Sequence, residues 1–288
     1  MLPMQYILTN PMKALDALRC LYPDSSQRTL LGWLKAGRFF VDGLPLDRAN
    51  RELCAGQVVS SQTTFKPQPI PGIKILYEDR FVVAIDKPAG LLSVPLDDEL
   101  SNNSSRHALG LLRNHYQTEQ IFAVHRIDRE TSGCLLFARG KESEQAFKDL
   151  FERHELTREY FAILEGRINQ ERGTWESSLL ELKNYDVVES NEGKHALTHF
   201  EVLHRSSKYS YMKLRLETGR KHQIRVHCSA NGYPVLGDAR YGSKENPIKR
   251  LCLHAWHIQC ICPLRQKKIT VRSQLPFAFK KLGGQRFL

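Results

Sequence analysis

Residues 123–139 read AVHRIDRETSGCLLFAR, so His125, Arg126, Asp128, Arg129 and Glu130 stand together just before an apolar run through Leu135, Leu136 and Phe137. A carboxylate among guanidinium groups is equipped for nucleophilic or acid–base work, because a cation within about 4–6 Å favours its ionised form. The same cluster also reads as a solvated turn, since exposed charge pairs are common and contribute little. The apolar run behind it suits a buried strand that would fix such a loop in a sheet.

Three further segments concentrate polarity or glycine: DKPAGLLSVP from Asp86, REYFAILEG from Arg158, and LETGRKHQIRVHCSANGYPVLGDARYG from Leu216. In the last, the Thr218-Gly219 corner stops a strand, and Gly232 ends a helix that holds His222, Arg225 and Cys228. Ile224 and Cys228 would face the core of that helix, with Arg225 on another side. His125, His222 and His227 are candidates for proton transfer, with satisfied structural histidines as the plainer reading. The stretch HAWHIQCIC from His254 alternates like a strand, and no second Cys or His pair has finger spacing, so no metal is expected.

The elements that must carry these residues are legible in outline. KPQPIPG (66–72) is too rich in proline for helix or central strand and reads as a linker between a module at 10–65 and a domain at 73–288. In the module, Leu15, Leu18 and Tyr22 mark one helix, and Ser26 caps a second that ends at Gly37. RFFVDG then enters a hairpin at Asp42-Gly43. Arg28, Lys35, Arg38 and Arg48 are placed for a basic face, or for an ordinary solvated surface. In the larger domain, strands are expected at 80–85, 160–164 and 212–217, and an amphipathic helix at 142–155. Strands and helices without strict alternation give an α+β domain with a mixed, mostly antiparallel sheet.

The chain has 288 residues, a formal net charge of +11 and a pI near 9.3, which favours polyanionic partners such as nucleic acid. No apolar run approaches the roughly 20 residues of a membrane span. The start, MLPMQYILTN, lacks a basic stretch followed by an apolar core, so a cytoplasmic protein is expected. The seven cysteines are scattered and odd in number, as in a chain that keeps them reduced.

Taken in order, the four segments resemble those of the RluA-type RNA pseudouridine synthases: a Lys-Pro-Ala-Gly turn at 87–90, His-Arg-Ile-Asp-x-x-Thr-Ser-Gly at 125–133, a Tyr-led strand at 160, and Thr-Gly-Arg-x-His-Gln-Ile-Arg at 218–225. The likeness runs from residue 73 to about 285. The module in front is similar to the S-four RNA-binding domain in its Ser26-Gln27-Arg28 helix start, its Ala36-Gly37-Arg38 turn, its Val41-Asp42-Gly43 hairpin and its Ala55-Gly56-Gln57-Val58-Val59 strand entry. Ile127 replaces the usual Leu, and Arg158 stands where Lys often precedes the strand. Residues 96–106 lack the glycine-rich character that many members show there.

The resemblance implies an isomerase that detaches uracil from ribose, turns it and rejoins it through carbon 5, with no cofactor and no metal. It implies Asp128 as the catalytic carboxylate, Tyr160 as the stacking ring, and Arg225 as the arginine that pairs with Asp128 and holds it ionised. Arg126 would enter the RNA stack as the target uridine flips out. RNA binding would also involve Arg220 and, in the module, Arg28, Lys35 and Arg38. A monomer acting on large-subunit ribosomal RNA is expected, with tRNA as the alternative substrate and no membrane partner. Two other readings stay open: a non-catalytic RNA clamp, and a nucleoside hydrolase with Glu130 as second carboxylate.

Overall fold

The structure is a computed structural model that describes residues 4–35, 37–42, 44–61, 70, 72–95, 106–116 and 118–283. The chain divides into two compact units, residues 1–70 with 112–119, and residues 71–111 with 120–288. Most of 66–72 and 96–106, along with Ala36 and Gly43, lies outside the described residues.

In the first unit, β1 (Gln5–Ile7) and β2 (Met12–Lys13) lead into α1 (Ala14–Leu21) and α2 (Gln27–Lys35). They are followed by β3 (Phe39–Val41), β4 (Leu44–Pro45), β5 (Glu52–Leu53) and β6 (Val58–Ser61). β1, β6, β3 and β4 pair in one sheet, and β2 pairs with β5. Helical spacing puts Ala14, Ala17, Leu18 and Leu21 of α1 and Leu30 and Leu34 of α2 into one core with Phe39, Val41 and Val59. Ser26 caps α2 as expected, its Oγ accepting the Thr29 amide at 3.1 Å. Arg28 and Lys35, two turns apart on α2, are exposed. Arg38 is exposed too, with its guanidinium 5.6 Å from the Trp33 ring centroid.

The elements of the second unit begin with β7 (Lys74–Glu78) and β8 (Val82–Lys87), then α3 (Ala108–Tyr116), which the division splits at residue 112. Next come β9 (Ile121–Ala123), β10 (Ser132–Arg139), α4 (Lys141–Glu152), β11 (Leu156–Glu165), β12 (Arg172–Glu181) and β13 (Val187–Glu189). β14 (Lys194–Arg205), β15 (Tyr209–Leu216), α5 (Gln223–Ala230), β16 (Leu253–Ile261), β17 (Lys268–Arg272) and α6 (Phe277–Lys281) complete it. The sheet runs β13-β12-β14-β15-β11-β16-β10-β8-β7, with β17 on β16 and β9 on β10. Among these pairings only β10 with β16 is parallel, so the α+β, mostly antiparallel expectation holds.

Local deviations have physical causes. The strand expected at 80–85 starts at Val82, because Asp79 Oδ1 accepts the Phe81 and Val82 amides and holds the chain in a bend. The strand expected at 160–164 begins at Leu156, since the polar residues ahead of Tyr160 are paired to β16. α4 and β15 fall where periodicity puts them, with Met212, Leu214 and Leu216 buried. His222 is not in a helix: it precedes α5 in the left-handed region at φ 54°.

The apolar run behind the charged cluster is β10, buried from Ser132 to Ala138. At its first turn Gly133 sits at φ 112°, and a Cβ there would lie 2.1 Å from the Ala255 carbonyl oxygen. That contact is the parallel junction with β16. Gly133→Ala should therefore cost about 3 kcal/mol or more, read by urea unfolding; a loss under about 0.5 kcal/mol would contradict the account of this junction.

Candidate active site

A cavity of about 500 Å³ opens in the second unit. It is walled by the loop at 124–131, the end of α4, the start of β11, the corner at 216–223 and the first turn of α5. Of the residues singled out by sequence, Arg126, Asp128, Tyr160, Arg220 and Arg225 all line it. Arg28, Lys35 and Arg38 belong to the first unit.

Asp128 rides on a loop moored to the segment after β8. The Ser93 hydroxyl donates to the Ile127 carbonyl at 2.8 Å and accepts the Ile127 amide at 3.2 Å. The Gly90 amide donates to the Arg129 carbonyl at 2.8 Å, and Arg129 Nε returns a bond to the Gly90 carbonyl at 3.1 Å. Beneath both segments lies Lys87, fully buried, with Nζ donating to the carbonyls of Pro88, Leu91 and Arg129 at 3.0, 2.7 and 3.0 Å. Burial pushes this amine down to about 7, against the pull of Asp128 and Glu130. A buried lysine satisfied by three carbonyls ties two stretches together that nothing in the linear sequence joins.

From the other side comes Arg225, on the first turn of α5 and about 8% exposed. Its Nε and Nη2 grip both carboxylate oxygens of Asp238 at 2.6 and 2.7 Å, a bidentate pair with Asp238 about 2% exposed. Nη1 is left to face Asp128 Oδ2 at 3.5 Å. The guanidinium also lies 4.8 Å from the Tyr241 ring centroid, and the Tyr241 hydroxyl meets His222 Nδ1 at 2.7 Å. The resemblance implies one acidic partner for Arg225, Asp128; the structure gives it two, and the tighter one is Asp238. That arrangement keeps Arg225 charged and pre-aimed while leaving Asp128 free to face the cavity.

The electrostatics follow. Surrounding protein pushes the Asp128 carboxyl above the usual carboxylate range, and Arg225, Lys87 and Arg126 oppose the rise. The expected depression by Arg225 is therefore present but outweighed by desolvation. Asp128 stays 24% exposed through the cavity, enough for a ligand to reach. Burial lifts the Tyr160 phenol to about 12, so it remains protonated and presents its ring. The register of β11 against β16 shifts between Glu159, opposite His257, and Tyr160, opposite Ala255, which leaves Trp256 of β16 as the unpaired extra residue.

The histidines are structural here. His125 stacks on Phe151 at 4.5 Å, accepts the Leu136 amide on Nε2 at 2.9 Å, and burial drives it down to about 3. His222 is likewise driven to about 3, chiefly by burial, so both are neutral. His227 holds Ser177 and Thr198 behind α5. Cys260 and Cys262 sit with Ile258 in the apolar core under β16.

Sequence reasoning missed Asp238 and Lys87. The signal for Asp238 was an acid inside the glycine-flanked turn Gly237–Gly242, which reads as solvated until the turn folds against α5. The signal for Lys87 was weaker, because lysine is rarely fully buried. Removing one partner of a buried ion pair strands the other, so Asp238→Ala should cost about 3–5 kcal/mol, measured by denaturant unfolding. A loss below about 1 kcal/mol would mean that Asp238 behaves as a surface acid.

Comparison with known proteins identifies the family of the chain. A family model described as RNA pseudouridylate synthase matches residues 81–230. An uncharacterized RNA pseudouridine synthase of Zymomonas mobilis is 37% identical over 224 residues, 75% of this chain and 99% of that protein. The ribosomal large subunit pseudouridine synthase D of Escherichia coli O6:H1 is 30% identical over 246 residues, 81% of this chain and 74% of that protein. Among solved structures, human RNA Pseudouridylate Synthase Domain Containing 1 superposes at a TM-score of 0.61 with 25% identity, over 74% of this chain and 87% of that one. The match spans the loop with Asp128, the strand with Tyr160 and the helix with Arg225, and the chain belongs to the RNA pseudouridylate synthase family, as an isomerase of its RluA branch.

Proposed function

We propose that this enzyme isomerises uridine to pseudouridine in large-subunit ribosomal RNA, with Asp128 as its reacting carboxylate. The observation that carries the reading is Asp128 facing a cavity with Arg225 at 3.5 Å on one wall and the ring of Tyr160 in the same lining. The target uridine leaves the RNA stack and its base lies on Tyr160, a contact of about 1–3 kcal/mol. Arg126, exposed at the rim, fills the gap in the stack, and Arg220, also exposed, holds backbone phosphate. Flipping is least costly in a loop or strained helix, so folded RNA is the natural substrate.

Residues 10–65 are assigned as an S-four-like RNA-binding domain in which Arg28, Lys35 and Arg38 contact phosphate. Residues 66–72 are its linker, and 73–288 the catalytic domain. The ribosomal assignment draws its support from relatives named as ribosomal large subunit pseudouridine synthases, such as that of Haemophilus ducreyi, 29% identical over 93% of this chain. The enzyme acts as a monomer in the cytoplasm on this reading, without a cofactor, because the reaction exchanges no electrons and adds no group.

The test is tritium release from RNA carrying 5-tritiated uridine, using large-subunit ribosomal and tRNA transcripts and, if these are silent, ribosomal particles. Wild type should release tritium from ribosomal RNA, and Asp128→Asn should be slower by at least about 10³-fold while RNA binding persists. Release from tRNA alone would move the substrate; equal release by both proteins would remove Asp128 from the chemistry.

A further inference from the structure

The cavity contains a second buried guanidinium that the reading above leaves idle. Arg158 enters from β11, two residues before Tyr160, and both line the cavity. It is 8% exposed. Its Nη2 donates to the carbonyls of Glu217 and Thr218 at 3.4 and 3.1 Å. Its Nε is buried without any hydrogen-bond partner. Among the described residues no carboxylate lies within ion-pair distance of it: the nearby Glu217 carboxylate is committed to His199 at 3.2 Å and Arg215 at 3.1 Å.

The guanidinium is closely packed on two sides. A Cβ on Gly219 would stand 2.6 Å from Arg158 Nη1, so a larger residue at this corner would have to push the guanidinium aside. Phe151 approaches on another side, its ring centroid 5.7 Å from Cζ. The charge also helps to keep His125 neutral. A buried cation without an anionic partner is costly, and such groups persist where a ligand completes them. Arg225, by contrast, already has two carboxylates.

Resting on the isomerase reading, we propose that Arg158 is a further catalytic residue that binds a carbonyl oxygen of the flipped uracil and stabilises the negative charge of the base once it is detached. When the C1′–N1 bond breaks, its electron pair stays on the ring and spreads over O2 and O4. The C1′–C5 bond then forms, C5 gives up its proton, and N1 gains one, so the sum is an isomerisation. Turning the base about the N3–C6 axis exchanges O2 and O4. A single donor beside the base therefore meets a carbonyl both before and after the turn. A phosphate is the less fitting ligand, since Arg126 and Arg220 are the exposed arginines of the lining, whereas Arg158 is enclosed beside Tyr160.

The test compares wild type, Arg158→Met and Arg158→Lys in single-turnover tritium release and in equilibrium binding to the same RNA transcript. Arg158→Ala is assayed in addition with and without about 50 mM guanidinium chloride. Removing one such donor should slow release about 10²–10³-fold while the dissociation constant stays within about twofold. Lysine should recover at least tenfold of that loss, and guanidinium should accelerate Arg158→Ala but not wild type. Release by Arg158→Met within about threefold of wild type would overturn the proposal. So would a loss of affinity that matches the loss of rate, which marks a phosphate contact. If Arg158→Met fails to fold, a Lys variant that folds but is as slow as Asp128→Asn would overturn it as well. A wild type silent on every RNA and ribosomal particle would overturn the isomerase reading, and this inference with it.

Discussion

One guanidinium, that of Arg225, sets the terms for the site. At about 8% exposure it can remain charged only with its donors satisfied, and Asp238 satisfies two of them with both carboxylate oxygens. The bidentate grip fixes the plane of the group, so Nη1 has one direction left, toward Asp128. The turn that bears Asp238 is itself tied to the sheet: the Leu236 amide donates to the Ile163 carbonyl at 2.9 Å and the Cys252 amide to the Leu236 carbonyl at 2.9 Å. β11 thus positions the acid that positions the arginine, and also carries Tyr160 and Arg158 into the same cavity.

Asp128 is held independently from the opposite side. Its loop rests on Lys87 and Ser93, at the far end of β8 and beyond, and enters β10 through a glycine that touches β16. Two unconnected sets of contacts therefore bring carboxylate and guanidinium to 3.5 Å. Sites need this kind of support, since a small misplacement of a reacting group costs rate steeply. The result is a carboxyl that burial pushes upward and three cations pull back, 24% exposed in the cavity lining.

Much of this was legible in the residues. Periodicity located α4 and β15, the Ser26 cap located α2, and the cluster at 125–130 with its apolar follower gave a loop feeding a buried strand. What stayed hidden depends on contacts across long separations. Lys87 bonds a carbonyl 42 residues away, and a lysine at a strand end looks like a solvated stop. Arg158 was visible as an arginine in place of lysine, but not as a cation without an acid, which only the folded neighbourhood reveals. Asp238 looked like any acid in a glycine-rich turn, and its role appears only when α5 packs over it. Patterns report faces and turns; they do not report which charges are enclosed together.

The claim that Arg225 tunes Asp128 is tested most directly by the pH dependence of single-turnover tritium release. Wild type is compared with the double variant Arg225→Gln with Asp238→Asn, which removes the cation without stranding a buried acid. Arg225 lowers the Asp128 carboxyl against the upward push of burial. Its loss should therefore raise the acid limb of the rate profile by about one pH unit or more. An acid limb that stays in place, or moves to lower pH, would contradict the coupling between this arginine and this carboxylate.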